Sequence, residues 1–486
     1  MFENVLGQEA ANQLSEDIRN NTMAPSMLFT GNAASGKGTA ALELGRILSC
    51  ENDASWNCPC PSCAKHRYLY HPDLLALGSR PFSPEIAAAT GVFSRNPEDK
   101  AGRTLFIRSV RKLLLRFSPI LWEDDQKAGK LSPLANSLES DLDELISGGE
   151  GEGGAWAEKL SASIKKTAFR LEAEGIPGFI PVAQIRRASY WSRLAPQGKR
   201  KLLLIENADR MQDSGRNALL KILEEPPERV VIVLTSAQGR ALLPTILSRL
   251  RPYRFNRRDE AMERDVLRRV FRCDKPENQS AGTVTGKGGT NVITAYLESF
   301  LPVSAEKLYS LSAYFASSLA LEGAAFLSEK TRGTAPALLG ALGNYAGPVA
   351  RAAGFPAPVP DTGDCIKTVL AGAENFEMPG LFSQFLKGLL QVVSESSREA
   401  LAASPLPELS IEKAREADAS SVRASEPALS VPGFSDIFRE LVRNAVTAAG
   451  TYNQNPALVL DNFIAAFKRR ILSLYGDYSP AIRSIL

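Results

Sequence analysis

The chain has 486 residues and a formal net charge of +3. This length predicts two to four domains, and the near balance of charge argues against a strongly basic nucleic-acid binder. With 44% hydrophobic and 23% charged residues, the composition is typical of a globular protein rather than a disordered one. The sequence has no apolar run long enough to span a membrane and no signal peptide at its start, so we expect a cytoplasmic protein.

Short apolar runs alternate with helical segments. Residues 26–30, 73–77, 201–205 and 230–235 each have the length and composition of a buried strand. Apolar residues recur at helical spacing in TAALELGRIL after the first run and in GRNALLKILEE between the last two. The alternation predicts an α/β fold with a parallel sheet and helices on its faces.

Residues 80–178, which we name the inserted segment, interrupt this alternation. The segment combines one amphipathic helix candidate, TLFIRSVRKLLLRF, with an acidic stretch and a glycine-rich linker at 147–154. Glycine and charge without apolar periodicity are typical of a flexible surface insertion, and we expect one here.

From about residue 259 onward the pattern predicts helices. Two polar loops, at 274–290 and 402–433, interrupt it. No internal repeat of fixed period is present, so the sequence does not indicate a repeat architecture.

The first predicted strand leads into a glycine-rich loop that opens a helix, the context of a phosphate-binding loop. In such a loop, backbone N–H groups surround phosphate oxygens and Lys37 meets the outer phosphates. A Ser or Thr normally follows the lysine and binds Mg²⁺, but here Gly38 follows it. Either Thr39 or water supplies the metal ligand, or the loop keeps its shape without catalysis. The candidate nucleotide-binding residues of the loop are Gly31, Ser35, Gly36, Lys37, Gly38 and Thr39.

The predicted strand 201–205 ends in Glu206 and Asn207. In active P-loop ATPases the corresponding strand ends in an Asp that holds Mg²⁺, and a following Glu polarises the attacking water. Glu206 retains a carboxylate that could bind the metal. Asn207 cannot act as a base, because an amide has no useful proton affinity near neutral pH. We therefore expect poor ATP hydrolysis.

Four of the six cysteines lie together within fourteen residues: Cys50, Cys58, Cys60 and Cys63. Four thiolates are enough for a closed tetrahedral zinc site, which leaves no open position for catalysis. The sequence therefore predicts structural Zn²⁺. His66 could replace one thiolate, although a surface position is the expectation, and we expect His71 to belong to the His-Pro-Asp turn that follows.

Residues 199–255 contain the run NALLKILEEPP, then a strand, then ILSR. This stretch resembles the clamp-loader AAA+ family of bacterial DNA polymerase III, most closely its delta-prime branch, which is related to gamma/tau. The start of the chain and the sequence HPDLLAL at 71–77 also resemble that family, as does NQNPALVLDNFIAAF at 453–467, which is similar to the last collar helix. The resemblance does not extend to the inserted segment.

The resemblance implies an AAA+ core at 1–258, a helical lid at 259–325 and a helical collar at 326–486. The core would contain a zinc module at 50–63 as well as the inserted segment. The family usually has two residues between the second and third cysteines, where this chain has only Pro59. The implied partners are gamma/tau and delta subunits in a hetero-pentameric ring, the sliding clamp, and primed DNA through the complex.

Two further site residues follow from the resemblance. The family closes one motif with Ser-Arg-Cys, whose arginine acts on the ATP of a neighbouring subunit. Here Ser248, Arg249 and Leu250 occupy these positions, so the arginine is kept and the cysteine is lost. Thr235 or Ser236 matches the polar sensor at the end of a strand, and an ordinary polar strand end explains either residue equally well.

Three functions remain open from the sequence. The degraded motifs favour a non-hydrolysing or weakly hydrolysing delta-prime-like stator over an active gamma/tau-type motor ATPase of the same loader. An unrelated P-loop kinase or ATPase is disfavoured by the cysteine cluster and by ILSR. ATP and Mg²⁺ are doubtful cofactors, and the inserted segment could shield an interface, contact DNA or the clamp, or simply be tolerated.

Overall fold

A computed structural model of the chain forms two compact units, Met1–Pro302 and Val303–Leu486. The described residues are 1–147, 154–237, 239, 242–273, 291–300, 303–331, 337–358, 361–374, 380–403, 434–451 and 454–476. The predicted loop at 274–290, the linker residues 148–153 and residues 404–433 of the second predicted loop lie outside them.

The first unit contains a parallel five-stranded sheet, as the alternating pattern predicts. The strands lie side by side in the order β2-β3-β4-β1-β5, with Met27 of β1 opposite Val233 of β4 and Arg251 of β5. β1–β4 are the four predicted strands, whereas the short polar strand β5 was not predicted from the sequence. The strands are β1 (Ser26–Thr30), β2 (Leu74–Gly78), β3 (Lys201–Glu206), β4 (Val230–Ser236) and β5 (Arg251–Arg254).

Helices cover the sheet and extend from it. The residues of β1 to β4 are almost entirely buried, because in a parallel sheet both faces are covered. The helices of this unit are α1 (Glu9–Arg19), α2 (Lys37–Ser49), α3 (Pro61–Arg67), α4 (Ser83–Arg95), α5 (Lys100–Leu114), α6 (Ala128–Ser147), α7 (Gly154–Gly175), α8 (Val182–Arg193), α9 (Asp213–Glu224), α10 (Pro244–Leu247), α11 (Glu260–Phe271) and α12 (Val292–Glu298).

The inserted segment is not a flexible surface element, so that prediction was wrong for its described residues. It forms α4 to α7, and the amphipathic candidate corresponds to α5 and the 3₁₀ turn Leu115–Phe117. Phe93, Phe106 and Leu171 are fully buried in the same apolar core as the sheet. In α6, five buried residues recur at spacings of four, three, four and three, a helical period concealed by acidic residues between them. They are Leu131, Ala135, Leu138, Leu142 and Leu145.

Side-chain caps begin several of these helices. The Asp99 carboxylate accepts hydrogen bonds from the backbone N–H groups of Ala101 and Gly102 at the start of α5. Asp259 caps α11 in the same way through Met262 N. Such caps satisfy N–H groups that have no partner within the helix and contribute about 1 kcal/mol each.

Helices α11 and α12 pack on α4 of the inserted segment. Leu267, Phe271 and Ile293 form a small buried cluster with Ala88 and Val92 of α4. This contact places the residues just beyond the sheet in the same compact unit as the inserted segment.

The regular secondary structure described in the second unit consists of helices. Its helices are α13 (Ala305–Thr331), α14 (Ala337–Ala352), α15 (Thr362–Gly372), α16 (Leu381–Ala403), α17 (Phe434–Thr451) and α18 (Pro456–Gly476). The predicted lid–collar boundary at 325/326 falls inside α13, so the division into lid and collar stays a prediction. Among the described helices, none combines the length and apolarity needed to cross a membrane.

Candidate functional site

The predicted phosphate loop connects β1 to α2. Gly36 is the N-cap of α2 and has a left-handed backbone with φ 90°, a conformation that glycine adopts without a steric penalty. Ser35 is 3% exposed, and its hydroxyl oxygen has no hydrogen-bond partner among the described residues. The loop therefore has the form of an anion cradle, with a buried hydroxyl that a phosphate oxygen could satisfy.

Lys37 points back into its own loop. Its Nζ donates hydrogen bonds to the backbone carbonyls of Gly31 at 2.8 Å and Asn32 at 2.9 Å. Burial lowers the pKa of Lys37, against the opposing effect of the Glu206 and Asp209 carboxylates. The ammonium would have to exchange these carbonyls for phosphate oxygens in order to meet a nucleotide.

Arg258 lies against the loop from the segment after β5. Its Nε donates to Leu6 O at 2.7 Å and its Nη1 to Ala34 O at 2.8 Å. A Cβ on Gly36 would lie 2.7 Å from Nη2 of Arg258. The arginine thus connects the N-terminal segment to the phosphate loop, and its guanidinium would have to shift for any side chain at position 36.

The ends of β3 and β4 place their polar residues at one edge of the sheet. Asn207 N donates to Thr235 Oγ1 at 3.2 Å, and Ser236 Oγ donates to Asp209 Oδ1 at 2.6 Å. Asn207 has a left-handed backbone, and its side-chain amide donates to Ser79 O at 2.9 Å. The side chain of Asn207 therefore holds the loop after β2, and the amide supplies no general base.

Glu206 lies beside the phosphate loop, and two arginines engage one of its two carboxylate oxygens. Oε2 accepts a hydrogen bond from Arg80 Nε at 3.0 Å and forms an ion pair with Arg116. Oε1 faces α2, where a Cβ on Gly38 would lie only 2.7 Å away. The carboxylate thus fills the space into which a Ser or Thr side chain at position 38 would project.

Two more charged residues extend this arrangement. Arg80 also donates to Glu85 at 3.2 Å, and Glu85 forms a second ion pair with Lys112 of α5. We call Arg80, Glu85, Lys112, Arg116 and Glu206 the Glu206 cluster. It joins the loop after β2, two helices of the inserted segment and the end of β3.

The charges of the Glu206 cluster control its protonation. Burial alone would raise the pKa of Glu206, but Arg80, Arg116 and Lys112 outweigh that effect and lower it. Burial opposes ionisation of Glu85 too, yet Lys112 and Arg80 lower its pKa to about 2. Burial lowers the pKa of Arg116 to about 10, even though Glu206 opposes the shift. All three groups are charged near neutral pH.

This arrangement does not fit Mg²⁺. A protein Mg²⁺ site is built from one or two carboxylates with free oxygens, together with waters and phosphate oxygens. Here two guanidinium groups bind Oε2 of Glu206, which leaves at most Oε1 for a metal, and position 38 has no hydroxyl. Thr39, the alternative hydroxyl, lies one residue further along the first turn of α2.

The four clustered cysteines do fit zinc. All four are buried, and their Sγ atoms lie within 4.8 Å of one another. A zinc ion with sulfur ligands at about 2.3 Å holds those sulfurs about 3.8 Å apart, and Cys50 and Cys58 are already 3.5 Å apart. Cys50 follows the end of α2 and Cys60 is the N-cap of α3, so the two helix ends converge on the site. The single residue between Cys58 and Cys60 therefore does not prevent convergence.

A buried arginine supports the cysteine cluster from α2. Arg46 Nη1 donates to Cys63 Sγ at 3.2 Å, and its other hydrogen bonds reach Ser55 O, Ala54 O and the Glu43 carboxylate. Arg46 and Glu43 are each 1% exposed. Such contacts orient metal ligands and compensate thiolate charge.

Neither histidine belongs to the cysteine cluster. His66 was expected at the surface, but it is 2% exposed, and its Nε2 forms a hydrogen bond with Ser49 Oγ at 3.0 Å. The periodicity of this short segment gave no sign of burial. His71 does belong to the predicted turn, since its Nδ1 accepts a hydrogen bond from Asp73 N at 3.1 Å.

Arg249 lies apart from these residues, between α10 and β5. Its side chain is 33% exposed and pairs with Glu224 of α9 at 2.8 Å. Its Nη1 also donates to Thr245 O at 2.6 Å. An exposed pair of this kind contributes about 0–1 kcal/mol, so little free energy holds Arg249 in this position.

Sequence reasoning missed the residues that surround the phosphate loop, namely Arg80, Arg116 and Arg258. One signal was available: Arg108, Lys112 and Arg116 recur every fourth residue along the amphipathic helix candidate. That spacing places three cations on one face. Arg80 lies two residues beyond β2, at the edge where parallel strands end, and Arg258 had no comparable signal.

Comparison with known proteins shows similarity to subunits of DNA polymerase III. A family model described as DNA polymerase III, delta subunit matches residues 7–259, more than half of the chain. The DNA polymerase III subunit delta′ of Pseudomonas aeruginosa is 42% identical over 91 residues, 18% of this chain and 28% of that protein. The subunit delta′ of Bacillus subtilis is 35% identical over 82 residues, 16% of this chain and 25% of that protein. The subunit gamma/tau of Mycobacterium tuberculosis is 29% identical over 100 residues, 21% of this chain and 17% of that protein.

The matched segments span less than a third of each of these relatives. A crystal structure of a DNA polymerase III gamma subunit-related protein from Thermotoga maritima aligns with 63% of this chain and 90% of that chain. Its sequence identity is 19% and its TM-score is 0.20, too low to support a shared fold. The resemblance found in the sequence is nevertheless confirmed by the family match over the whole of the sheet, and the chain belongs to the DNA polymerase III delta subunit family.

Proposed function

We propose that this chain is a subunit of the DNA polymerase III clamp loader that helps load the sliding clamp onto primed DNA without effective ATP hydrolysis of its own. The family and the delta′ and gamma/tau relatives support the assignment to the loader. The delta-prime-like role of a rigid stator is the finer part of the proposal. It depends on the state of the nucleotide site.

The main support for this proposal is the arrangement of the Glu206 cluster. Hydrolysis in a P-loop ATPase requires a metal-binding carboxylate and a group that orients the attacking water. Here Arg80 and Arg116 bind Oε2 of Glu206 and place two positive charges where a metal ion would bind, and the Asn207 amide donates to Ser79 O. Neither requirement is met, which supports a subunit that does not turn over ATP.

Arg249 would give such a subunit a catalytic use. A guanidinium stays charged and can donate two parallel hydrogen bonds to a phosphate. In GTPases an arginine supplied in trans accelerates hydrolysis roughly 10³–10⁵-fold, and we expect less in a ring whose other sites have their own arginines. Its partial exposure and its weak surface pair with Glu224 support a side chain that can reach a neighbour.

The remaining parts of the proposal concern assembly. A zinc ion on Cys50, Cys58, Cys60 and Cys63 would stabilise the module between α2 and β2. The helical second unit would include the collar that joins gamma/tau and delta subunits in a hetero-pentameric ring. The sliding clamp and primed DNA would be contacted through the complex.

Two measurements test the proposal. Tagged protein isolated from its own cells should co-purify with the other loader subunits, and the isolated chain should hydrolyse ATP no faster than its Lys37→Ala variant. Absence of loader subunits from the purified material would remove the assignment to the loader.

The second candidate is an active motor ATPase of the same loader. The cradle shape of the phosphate loop and the unpartnered Ser35 hydroxyl favour it. Robust turnover that Lys37→Ala abolishes would establish it and would reject the stator. Co-purification does not distinguish the two roles, so the ATPase measurement decides between them.

A further inference from the structure

The inserted segment reaches into the nucleotide site. Helix α5 continues into the 3₁₀ turn that carries Arg116, and the indole N–H of Trp122 donates to Arg116 O at 2.7 Å. The Arg116 side chain is only 5% exposed and ends at Glu206. A buried cation held at both its backbone and its guanidinium is a built part of the site rather than a chance surface contact.

One aromatic ring positions both arginines. The guanidinium carbons of Arg80 and Arg116 lie 4.0 Å and 5.3 Å from the centre of the Phe82 ring. Phe82 is fully buried, and cations at these distances are attracted by an aromatic face. Both guanidinium groups therefore converge on one oxygen, Oε2 of Glu206, and bring two positive charges to it. A divalent cation would bring the same charge to that carboxylate.

Positive charge exceeds negative charge around the phosphate loop. Four cations, Lys37, Arg80, Lys112 and Arg116, face three carboxylates, Glu85, Glu206 and Asp209, and Arg258 brings a fifth cation against the loop. The N-terminus of α2 adds partial positive charge, and the buried hydroxyl of Ser35 is available as a donor. An anion can therefore be compensated here without a metal ion.

We propose that Arg116 of the inserted segment, together with Arg80, serves as the resident counter-ion of Glu206 in place of a divalent metal, so that the phosphate loop binds metal-free phosphate groups such as those of ADP. The inserted segment is then an integral part of the nucleotide site. Because this inference rests on the proposed non-hydrolysing role, its test uses ADP, which no turnover consumes. Its failure is separate from that of the ATPase or co-purification measurement.

The test is calorimetric titration of the full chain with ADP, once with EDTA and once with Mg²⁺. For the unmutated protein we expect dissociation constants that agree within about twofold in the two buffers. In the double variant Arg80→Gln/Arg116→Gln, which frees the Glu206 carboxylate, Mg²⁺ should tighten ADP binding at least about tenfold. Arg170→Gln is the matched control, because Arg170 is an exposed arginine of α7 that pairs with Glu174, and it should behave as the unmutated protein.

Three outcomes would overturn the proposal. The unmutated protein binds no ADP in either buffer, or it needs Mg²⁺ for binding, or a folded double variant remains indifferent to Mg²⁺. Thermal denaturation followed by circular dichroism decides whether the double variant is folded. If it is not, Arg80→Gln alone replaces it, since Arg80 is 22% exposed, and Mg²⁺ should then tighten ADP binding at least about threefold.

Discussion

Gly38 and Glu206 share one space at the nucleotide site: a Cβ added to Gly38 would lie 2.7 Å from Glu206 Oε1. The residue type that P-loop ATPases use to hold Mg²⁺ therefore cannot enter position 38 unless Glu206 moves. Glu206 in turn is held by Arg80 and Arg116. The missing hydroxyl and the engaged carboxylate are thus two aspects of one packing arrangement.

Gly38→Ala should destabilise the protein by about 1–3 kcal/mol, because the added methyl group displaces a carboxylate that is paired with two arginines. The matched control is Gly129→Ala in α6, where no atom lies within 4 Å of the added Cβ, and which should be neutral or slightly stabilising. Chemical denaturation of both variants provides the comparison. Equal stability of the two would show that Glu206 moves aside at little cost.

Restoring only the sequence motifs should not restore hydrolysis. The triple variant Gly38→Thr/Glu206→Asp/Asn207→Glu still contains Arg80 and Arg116, which would pair with the new carboxylates. We expect ATP turnover near background in the triple variant, and any gain only after both arginines are also replaced by glutamine. Steady-state phosphate release tests this order, and turnover by the triple variant alone would contradict it.

Purified protein should contain about one zinc ion per chain, because four buried thiolates converge within the span of one ion. Cys60→Ser should release the metal and lower the melting temperature. Cys273→Ser is the control, since Cys273 lies outside the cluster, and it should retain the metal. Elemental analysis of protein prepared without chelator measures the content, and protein that lacks zinc would reject the site.

Glu172 makes the stability of the inserted segment depend on pH. Burial raises the pKa of Glu172 to about 7 from 4.5, although hydrogen bonds from Ser83 and the Phe82 amide favour the carboxylate. The folded state thus binds the proton more tightly than the unfolded state does. The contribution of Glu172 to stability is therefore complete below pH 4.5 and is lost as the pH rises through 7. The loss amounts to about 3 kcal/mol for a shift of this size.

Glu172→Gln should remove this dependence, because glutamine does not titrate. The unfolding free energy of the variant minus that of the unmutated protein should increase from pH 5 to pH 8, by up to about 3 kcal/mol. Glu174→Gln, which alters a carboxylate on the same helix that pairs with Arg170, should show no such gain. Urea denaturation at pH 5 and pH 8 measures this change for both variants. The same change in both would contradict the conclusion that Glu172 causes the pH dependence.

Arg249→Ala should leave folding and assembly intact but lower the DNA-stimulated ATPase of a reconstituted ring at least about threefold. Arg249→Lys should recover little, since an ammonium cannot reproduce the two parallel hydrogen bonds of a guanidinium. Arg264→Ala, an exposed arginine paired within α11, is the control. A ring with Arg249→Ala that hydrolyses ATP and loads clamps at the unmutated rate would leave Arg249 as a surface charge only.

Local patterns in the sequence were enough to predict strands β1 to β4 and two sites, the phosphate loop and the cysteine cluster. Strands β1 to β4 are buried on both faces, so each reads as a short apolar run, and the glycine-rich loop and the cysteine spacing are themselves local features. Strand β5 was missed because its sequence, Arg-Pro-Tyr-Arg, contains no apolar run, and only Tyr253 is buried at this edge of the sheet. The inserted segment was misjudged because its charged residues obscured a helical apolar period.

The sequence by itself determined the parallel α/β fold, the phosphate loop, the cysteine cluster and the family, since each depends on residues close together in the chain. Only the tertiary structure decided what surrounds Glu206. Arg80 and Arg116 lie 126 and 90 residues from it along the chain, and no spacing rule connects them. They meet because the ends of parallel strands share one edge of the sheet, and because a buried carboxylate at that edge requires positive charge nearby.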